Sequence, residues 1–330
     1  MAKPIILGAG FVHRYGYGKY GDQDFSYATK KEWDYELPFS LDEKTHGICE
    51  CAKIGVNSAM LAYSNSDVLK NADRISLGVY CGTAFGGFPV SQKEQCDTLK
   101  QIGPNGILPG MSIHSGYHLT ADIIAINYHI LGPNMTMVSG RLASAMAFLN
   151  ACDDIKDGTV QHAVVTGTEF VDDVLAEGLR LSETKGWESV SSGAGTVILS
   201  NDEAVEINDK CVYVKAIEMR GDNFLYENIK NVIHMALKSA KLNVGDIGLV
   251  VSVQGDVLEE RLAVSRVVDE IFHNGKFCPI MFSVDEFGDT LGAGFVMGMA
   301  TVLQECVSKG NILIVTFDKD NYVLASIIGR

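Results

Sequence analysis

Basic residues are what this chain has too few of. Its 27 Lys and Arg face 41 Asp and Glu in 330 residues, a formal charge of −14. A surface of that sign repels phosphate, and no Lys/Arg cluster offsets it, so nucleic-acid binding is not expected. Proline is scarce, at 7, and no Pro-, Ser- or Gly-rich linker divides the chain. Low-complexity tracts are missing while 47% of the residues are hydrophobic, which excludes a disordered chain. Apolar runs fall far short of the roughly 20 residues that a membrane helix needs. Met1–Gly10 holds one lysine and the short apolar run Ile5–Leu7 with no small-residue cleavage pattern behind it, so no signal peptide is expected.

The usual signatures of chemistry are also missing. The cysteines at 49, 51, 81, 96, 152, 211, 278 and 306 form no CxxC pair, and Cys49 and Cys51 lack a histidine at ligand spacing. Most of the others lie in apolar runs, as buried free thiols do. No metal or other cofactor is expected, and a cytoplasmic globular protein is. Gly8-Ala-Gly10 has His13 where a dinucleotide fingerprint needs its third glycine, so it reads as a turn at a strand end. Gly82–Gly87 lacks the Gly-Lys-Ser/Thr ending of a phosphate loop and reads as a packing turn. Gly-x-Ser-x-Gly does not occur, and none of the histidines at 13, 46, 114, 118, 129, 162, 234 and 273 sits in a catalytic pattern.

What the chain does have is alternation. Lys3–Leu7, Ile75–Cys81, Met135–Val138, Ala163–Thr166 and Gly195–Leu199 read as strands. Helical spacing runs through 46–64, 91–101 and 119–130, and from Leu142 through Met146, Leu149, Cys152 and Ile155 to a stop at Gly158. The rhythm then returns. Strands are expected at Val212–Glu218, Asp246–Val253 and Pro279–Val284, with helices over 223–241, 257–273 and 292–309. The strand pair Asn311–Phe317 and Tyr322–Ile328 closes the chain around the turn Asp318–Asn321. Alternation of this kind predicts a layered α/β fold. Two pseudo-repeated halves are expected, 1–205 and 206–330, packed as one unit.

The stretch Gly132–Glu169 resembles the nucleophile region of β-ketoacyl synthases, the condensing enzymes of the thiolase superfamily. It runs Gly132-Pro133, a strand, Gly140, a Ser/Ala-rich helix, Gly158, a second strand, then Gly167-Thr168-Glu169 in place of a Gly-Gly-x-Glu turn. Leu77–Gly87, Ser192–Gly195 and Phe287–Gly294 resemble further family segments in the right order. The resemblance implies a thiolase-like α-β-α-β-α architecture. It also aligns the family's nucleophilic cysteine with Arg141, its first histidine with Gln254, its second with Asp289 and its lysine with Val284. The chain is shorter than typical members, with compression near 180–192 and 254–260 where loops capping an active site would stand.

Condensation needs a thiolate whose pKa is lowered at a helix N-terminus, and two imidazoles that stabilise a developing enolate. Arginine stays protonated and cannot carry an acyl group. Asp289 brings negative charge where an enolate would develop. Cys152 lies three helical turns beyond Arg141 and cannot replace the nucleophile. The pattern is similar to that of the chain-length factor, the non-catalytic partner of an active ketosynthase in type II polyketide or polyene synthesis. No catalytic residue is therefore expected, and Arg141, Gln254 and Asp289 become vestigial positions. At a helix N-terminus a cation costs about 0.3–1 kcal/mol, so Arg141, if buried, needs a carboxylate or carbonyls that hold it in the vestigial site.

The resemblance further implies that Leu108–Leu119 borders a tunnel shared with the partner, with Met111, His114, Tyr117, His118 and Leu119 as candidate chain-length residues. An acyl carrier protein is acidic, so an acidic subunit leaves its docking mainly to the ketosynthase partner. Two other readings stay open. One is a divergent condensing enzyme or acyltransferase with relocated residues, such as His114 as base; the other is a stand-alone acyl-binding homodimer.

Overall fold

The structure is a computed structural model that describes residues 2–13, 16–20, 48–64, 66, 68–113, 116–207, 211–221, 224–272, 278–303, 306 and 309–330. Its first half contains β1 (Pro4–His13), β2 (Gly16–Lys19), α1 (Glu50–Ser64), α2 (Val68–Asn71), β3 (Leu77–Gly82), α3 (Phe88–Gln101), α4 (Pro109–Ile113), α5 (Leu119–Tyr128), β4 (Asn134–Met137), α6 (Ala143–Lys156), β5 (His162–Glu169), α7 (Asp173–Leu181) and β6 (Gly193–Asn201). The second half contains β7 (Val212–Arg220), α8 (Leu225–Ala240), β8 (Ile247–Ser252), α9 (Leu258–Phe272), β9 (Ile280–Phe282), α10 (Ser283–Phe287), α11 (Gly294–Val302), β10 (Asn311–Phe317) and β11 (Val323–Gly329).

The strands join in the order β4-β3-β5-β6-β1-β7-β11-β10-β8-β9, with β2 beside β1. From the outer edge inward, β4-β3-β5-β6-β1 and β9-β8-β10-β11-β7 are the same arrangement. In each, three parallel strands are followed by two antiparallel ones. The halves meet where β1 pairs with β7 through Ile5–Tyr213 and Ile6–Val212.

Burial divides the molecule into layers. α6 and α11 lie between the two halves of the sheet, where Phe148 and Phe295 meet at 5.5 Å between ring centroids among buried residues of β1, β3, β5, β6, β8 and β10. α1 and α5 cover the outer face of the first half, and α8 and α9 that of the second. Inner strands such as β3, β5 and β11 are buried on both faces, which is why they read as continuous apolar runs rather than as alternating ones. This is the layered α-β-α-β-α arrangement.

Several local expectations change. Gly8–Gly10 is not a strand-end turn: β1 continues to His13, pairing Gly8, Ala9 and Gly10 with Ile198, Val197 and Thr196 of β6. Gly10 is needed because α1 passes so close that a Cβ there would sit 2.5 Å from the Ser58 carbonyl oxygen. Gly167–Glu169 belongs to β5 and pairs with β6, so it is no turn either. The strand expected over Pro279–Val284 breaks after Phe282 into α10. The helix α7 and strand β2 were not anticipated, and residues 46–47 of the first expected helix lie outside the described residues.

Candidate functional site

The pseudo-repeat brings two helix N-termini together. α6 is preceded by the 3-10 turn Gly140–Leu142, and α11 by the equivalent turn Leu291–Ala293. Gly140 takes φ +54°, a left-handed conformation that glycine adopts without strain, and this turns the chain so that Arg141 points inward. Arg141 is only 6% exposed. Its Nη2 donates to Asp289 Oδ2 at 2.7 Å, its Nη1 donates to Glu260 Oε1 at 3.0 Å, and Nη2 lies 3.5 Å from Asp256 Oδ1.

The carboxylates are themselves held. Asp289 Oδ1 accepts the Leu291 N–H at 2.9 Å, and its backbone N–H donates to the Ser189 carbonyl. Asp256 Oδ2 accepts the Ser189 hydroxyl at 3.0 Å. Asp256 lies two residues before α9 and Glu260 in its first turn, and they meet Nη2 and Nη1 of the guanidinium respectively. The segments 180–192 and 254–260, read from the sequence as trimmed loops, are the ones that close this cluster.

Electrostatics fixes the protonation of the arginine. Burial opposes its charge, but Asp289, Glu260 and Asp256 outweigh that and raise its pKa, so it stays a cation. Burial pushes the Glu260 carboxyl up, Arg141 pulls it down, and Asp256 pushes it up again. One cation thus serves three carboxylates, and Glu260 Oε2 is buried without a hydrogen-bond partner. The helix N-termini, each equivalent to roughly half a positive charge, relieve the excess of negative charge.

The Arg141 guanidinium, bound to carboxylates, is no nucleophile, and Cys152 is fully buried with its thiol pKa raised by that burial. Burial also pushes the Cys81 thiol up to about 12. Gln254, aligned from sequence with a reacting position, is not part of the cluster. Its amide exchanges hydrogen bonds with the Thr316 hydroxyl at 3.0 and 3.1 Å, and its Oε1 accepts the Phe317 N–H at 2.9 Å. It fastens the end of β8 to β10.

A cavity of about 540 Å³ opens beside Arg141 and Asp289. Phe85, Leu142, Met146, Leu179 and Leu291 give it an apolar wall, and Lys185 and Asp318–Asp320 also border it. Arg141 therefore forms part of the cavity wall and does not fill the space. A second cavity of about 390 Å³ shares Thr184, Lys185, Asp318 and Lys319 with it and reaches Glu260.

Residues 50–176 match the family model of the β-ketoacyl synthase N-terminal domain. The ishigamide ketosynthase/chain length factor aligns over 99% of this chain and 99% of its own, with TM-score 0.80 at 17% identity. This is a ketosynthase fold. A type II polyketide synthase acyl-carrier protein in complex with its ketosynthase, AntDE:AntF, aligns over 100% of this chain and 99% of its own, with TM-score 0.83 at 14% identity. A ketosynthase in complex with its chain length factor from Xenorhabdus doucetiae aligns over 99% and 98%, with TM-score 0.79 at 14% identity. No curated protein sequence matches.

The remaining candidates that the structure describes are Met111, Tyr117, His118 and Leu119. Met111 is half-buried and its carbonyl accepts the Ser91 hydroxyl at 2.7 Å. Tyr117 stacks on Phe88 with ring centroids 6.1 Å apart. His118 is exposed and faces Asp122 at 3.6 Å, while Leu119 packs against the core under α1 and α5. His114 lies outside the described residues. None of the four described residues lines the cavity. Sequence reasoning missed Asp256 and Glu260. Two acidic residues beside the Gln254-Gly255 match, together with the need of a buried arginine for carboxylates, were the available signal.

Proposed function

We propose that this chain is a non-catalytic ketosynthase-like subunit, a chain-length factor, that pairs with an active ketosynthase and shapes the acyl or polyketide tunnel at their interface in type II polyketide or polyene synthesis. One observation carries the reading. The place where a condensing enzyme needs an activated thiolate, at the N-terminus of α6, holds Arg141, locked to Asp289, Glu260 and Asp256. An arginine so held is neither acylated nor deprotonated. Similarity to solved ketosynthase and chain-length-factor complexes supports the choice of partner. On this reading the acyl carrier protein docks mainly on the ketosynthase, because the present chain is acidic. Met111, His114, Tyr117, His118 and Leu119 then border the shared tunnel.

Co-expression with a ketosynthase that has its Cys and both His intact tests the pairing. A mixed complex that survives size-exclusion chromatography is expected. Purification as a monomer that is acylated on its own would overturn the reading and favour a divergent condensing enzyme. The open cavity beside Arg141 favours a second reading, an acyl-binding homodimer, which predicts binding of a fatty acyl ligand with no partner present.

A further inference from the structure

The second cavity, of about 390 Å³, lies between the end of α7, the first turns of α8 and α9, and the β10–β11 turn. Next along the chain to its lining residues stand Leu181, Phe224, Leu258 and Tyr322, four large apolar side chains between 44% and 82% exposed. Such residues scattered singly over a surface need no explanation, but gathered around one cleft they mark an interaction site.

The rim is built rather than loose. Asp318 Oδ1 accepts the Asp320 and Tyr322 N–H groups at 2.9 Å each, and Asn228 of α8 donates to the Asn321 carbonyl at 2.8 Å, fastening the β10–β11 turn to α8. Tyr322 packs against Gly221, where a Cβ would run into its ring. On the other side, the Thr184 N–H donates to the Leu179 carbonyl at 3.1 Å, and the Ser182 and Thr184 hydroxyls share a hydrogen bond at 2.9 Å. A partner would therefore meet side chains carried on a backbone that is already ordered.

Charge names the partner. The carboxyl groups of Glu183, Glu259, Glu260 and Asp318 border the cleft against the ammonium groups of Lys185 and Lys319. Lys185 is already paired with Glu259 at 3.2 Å, and Glu260 shares the single Arg141 with Asp256 and Asp289. Asp320 adds an exposed carboxyl beside them. The field over the cleft is negative. A second copy of this chain, at −14, is repelled by it, and residues 21–47 of this chain, richer in Asp and Glu than in Lys, supply no basic occupant.

We propose that this cleft docks a basic amphipathic segment of another protein, with its apolar side chains among Leu181, Phe224, Leu258 and Tyr322 and its Lys or Arg side chains over Glu183, Asp318 and Asp320. Apolar anchors supply affinity at such a face, and opposite charge supplies orientation and choice of partner. The inference does not rest on pairing with a ketosynthase: Met111, Tyr117, His118 and Leu119 do not border the cleft.

Synthetic helical peptides test it. A peptide of Leu and Lys at amphipathic spacing is expected to bind the full chain in isothermal titration calorimetry. Its Leu/Glu counterpart, with reversed charge, and its Ser/Lys counterpart, without an apolar face, are not. Glu183→Lys with Asp320→Lys is expected to weaken binding about tenfold. The same change of charge at Asp157 and Glu203, exposed beyond the ends of α6 and β6 that point away from Arg141, is expected to alter it less than about threefold. Phe224→Ser with Leu258→Ser, which leaves the charge as it is, is expected to weaken binding about tenfold. These side chains are exposed, so the circular dichroism of every variant should match that of the native chain. No binding of the Leu/Lys peptide, equal binding of either counterpart, or full binding by the Phe224→Ser, Leu258→Ser chain would overturn the proposal. Equal losses from the two charge pairs would overturn it as attraction to net charge only. Self-association of the native chain in sedimentation that Phe224→Ser with Leu258→Ser abolishes would give the face to a second copy and overturn it as well.

Discussion

Arg141→Met removes the positive charge from the buried cluster and keeps a long, unbranched side chain in its place. Asp289, Glu260 and Asp256 then face one another, within 3.5 Å of the vacated guanidinium position, with no counter-charge. Removing one partner of a buried ion pair costs about 3–5 kcal/mol. The two helix N-termini return about 0.3–1 kcal/mol each, so a net loss of about 3 kcal/mol at neutral pH is expected. The loss depends on pH. Without Arg141 nothing pulls down the Glu260 carboxyl, which burial and Asp256 already push up. Its contribution is fully present below the ordinary carboxylate range and is lost as pH rises through the raised value. Urea unfolding followed by circular dichroism at neutral and at mildly acid pH measures both effects. A neutral-pH loss under about 0.5 kcal/mol, the size of an ordinary surface substitution, or a loss of equal size at both pH values would refute the reasoning.

Other substitutions probe the same neighbourhood. Glu260→Gln removes a carboxyl whose pKa burial has raised and whose Oε2 has no partner. Stability is expected to change by less than about 1 kcal/mol at neutral pH, and the decline in stability as pH rises above the carboxylate range should flatten in a pH series of urea melts. Arg141→Cys places a thiol at a helix N-terminus but among three carboxylates, whose charge raises a thiol pKa. Its alkylation by iodoacetamide at neutral pH is expected to be slower than that of a free cysteine, and faster again when Asp289→Asn and Glu260→Gln are added. Gly292→Ala forces a Cβ to within 2.4 Å of the Ala84 nitrogen and should cost about 1–3 kcal/mol, measured as a fall in the urea midpoint.

The layered fold was legible because strands buried on both faces read as apolar runs, and because Leu142, Cys152 and Ile155 mark the inner face of α6. Where the reading failed, tertiary contact decided the outcome. β1 was cut short at Leu7 because Gly8 and Gly10 look like a turn, while the approach of α1 to Gly10 is a contact between segments some 48 residues apart. Asp256 and Glu260 were not singled out, since nothing local tells that they meet Arg141, 115 and 119 residues away. Gln254 was grouped with Arg141 and Asp289 by motif order, yet its side chain turns to β10. Glu169 was seen as part of a family turn, and only the placement of β3 against β5 makes it the acceptor for the Thr83–Gly86 turn.

The proposed function makes this chain a partner and not a catalyst. The most direct measurement is intact mass spectrometry of each subunit after the chain, co-purified with an active ketosynthase, is incubated with an acylated carrier protein. An acyl adduct on the ketosynthase alone and an unchanged mass for this chain are expected. An acyl adduct on this chain, or failure of the two to co-purify, would contradict it.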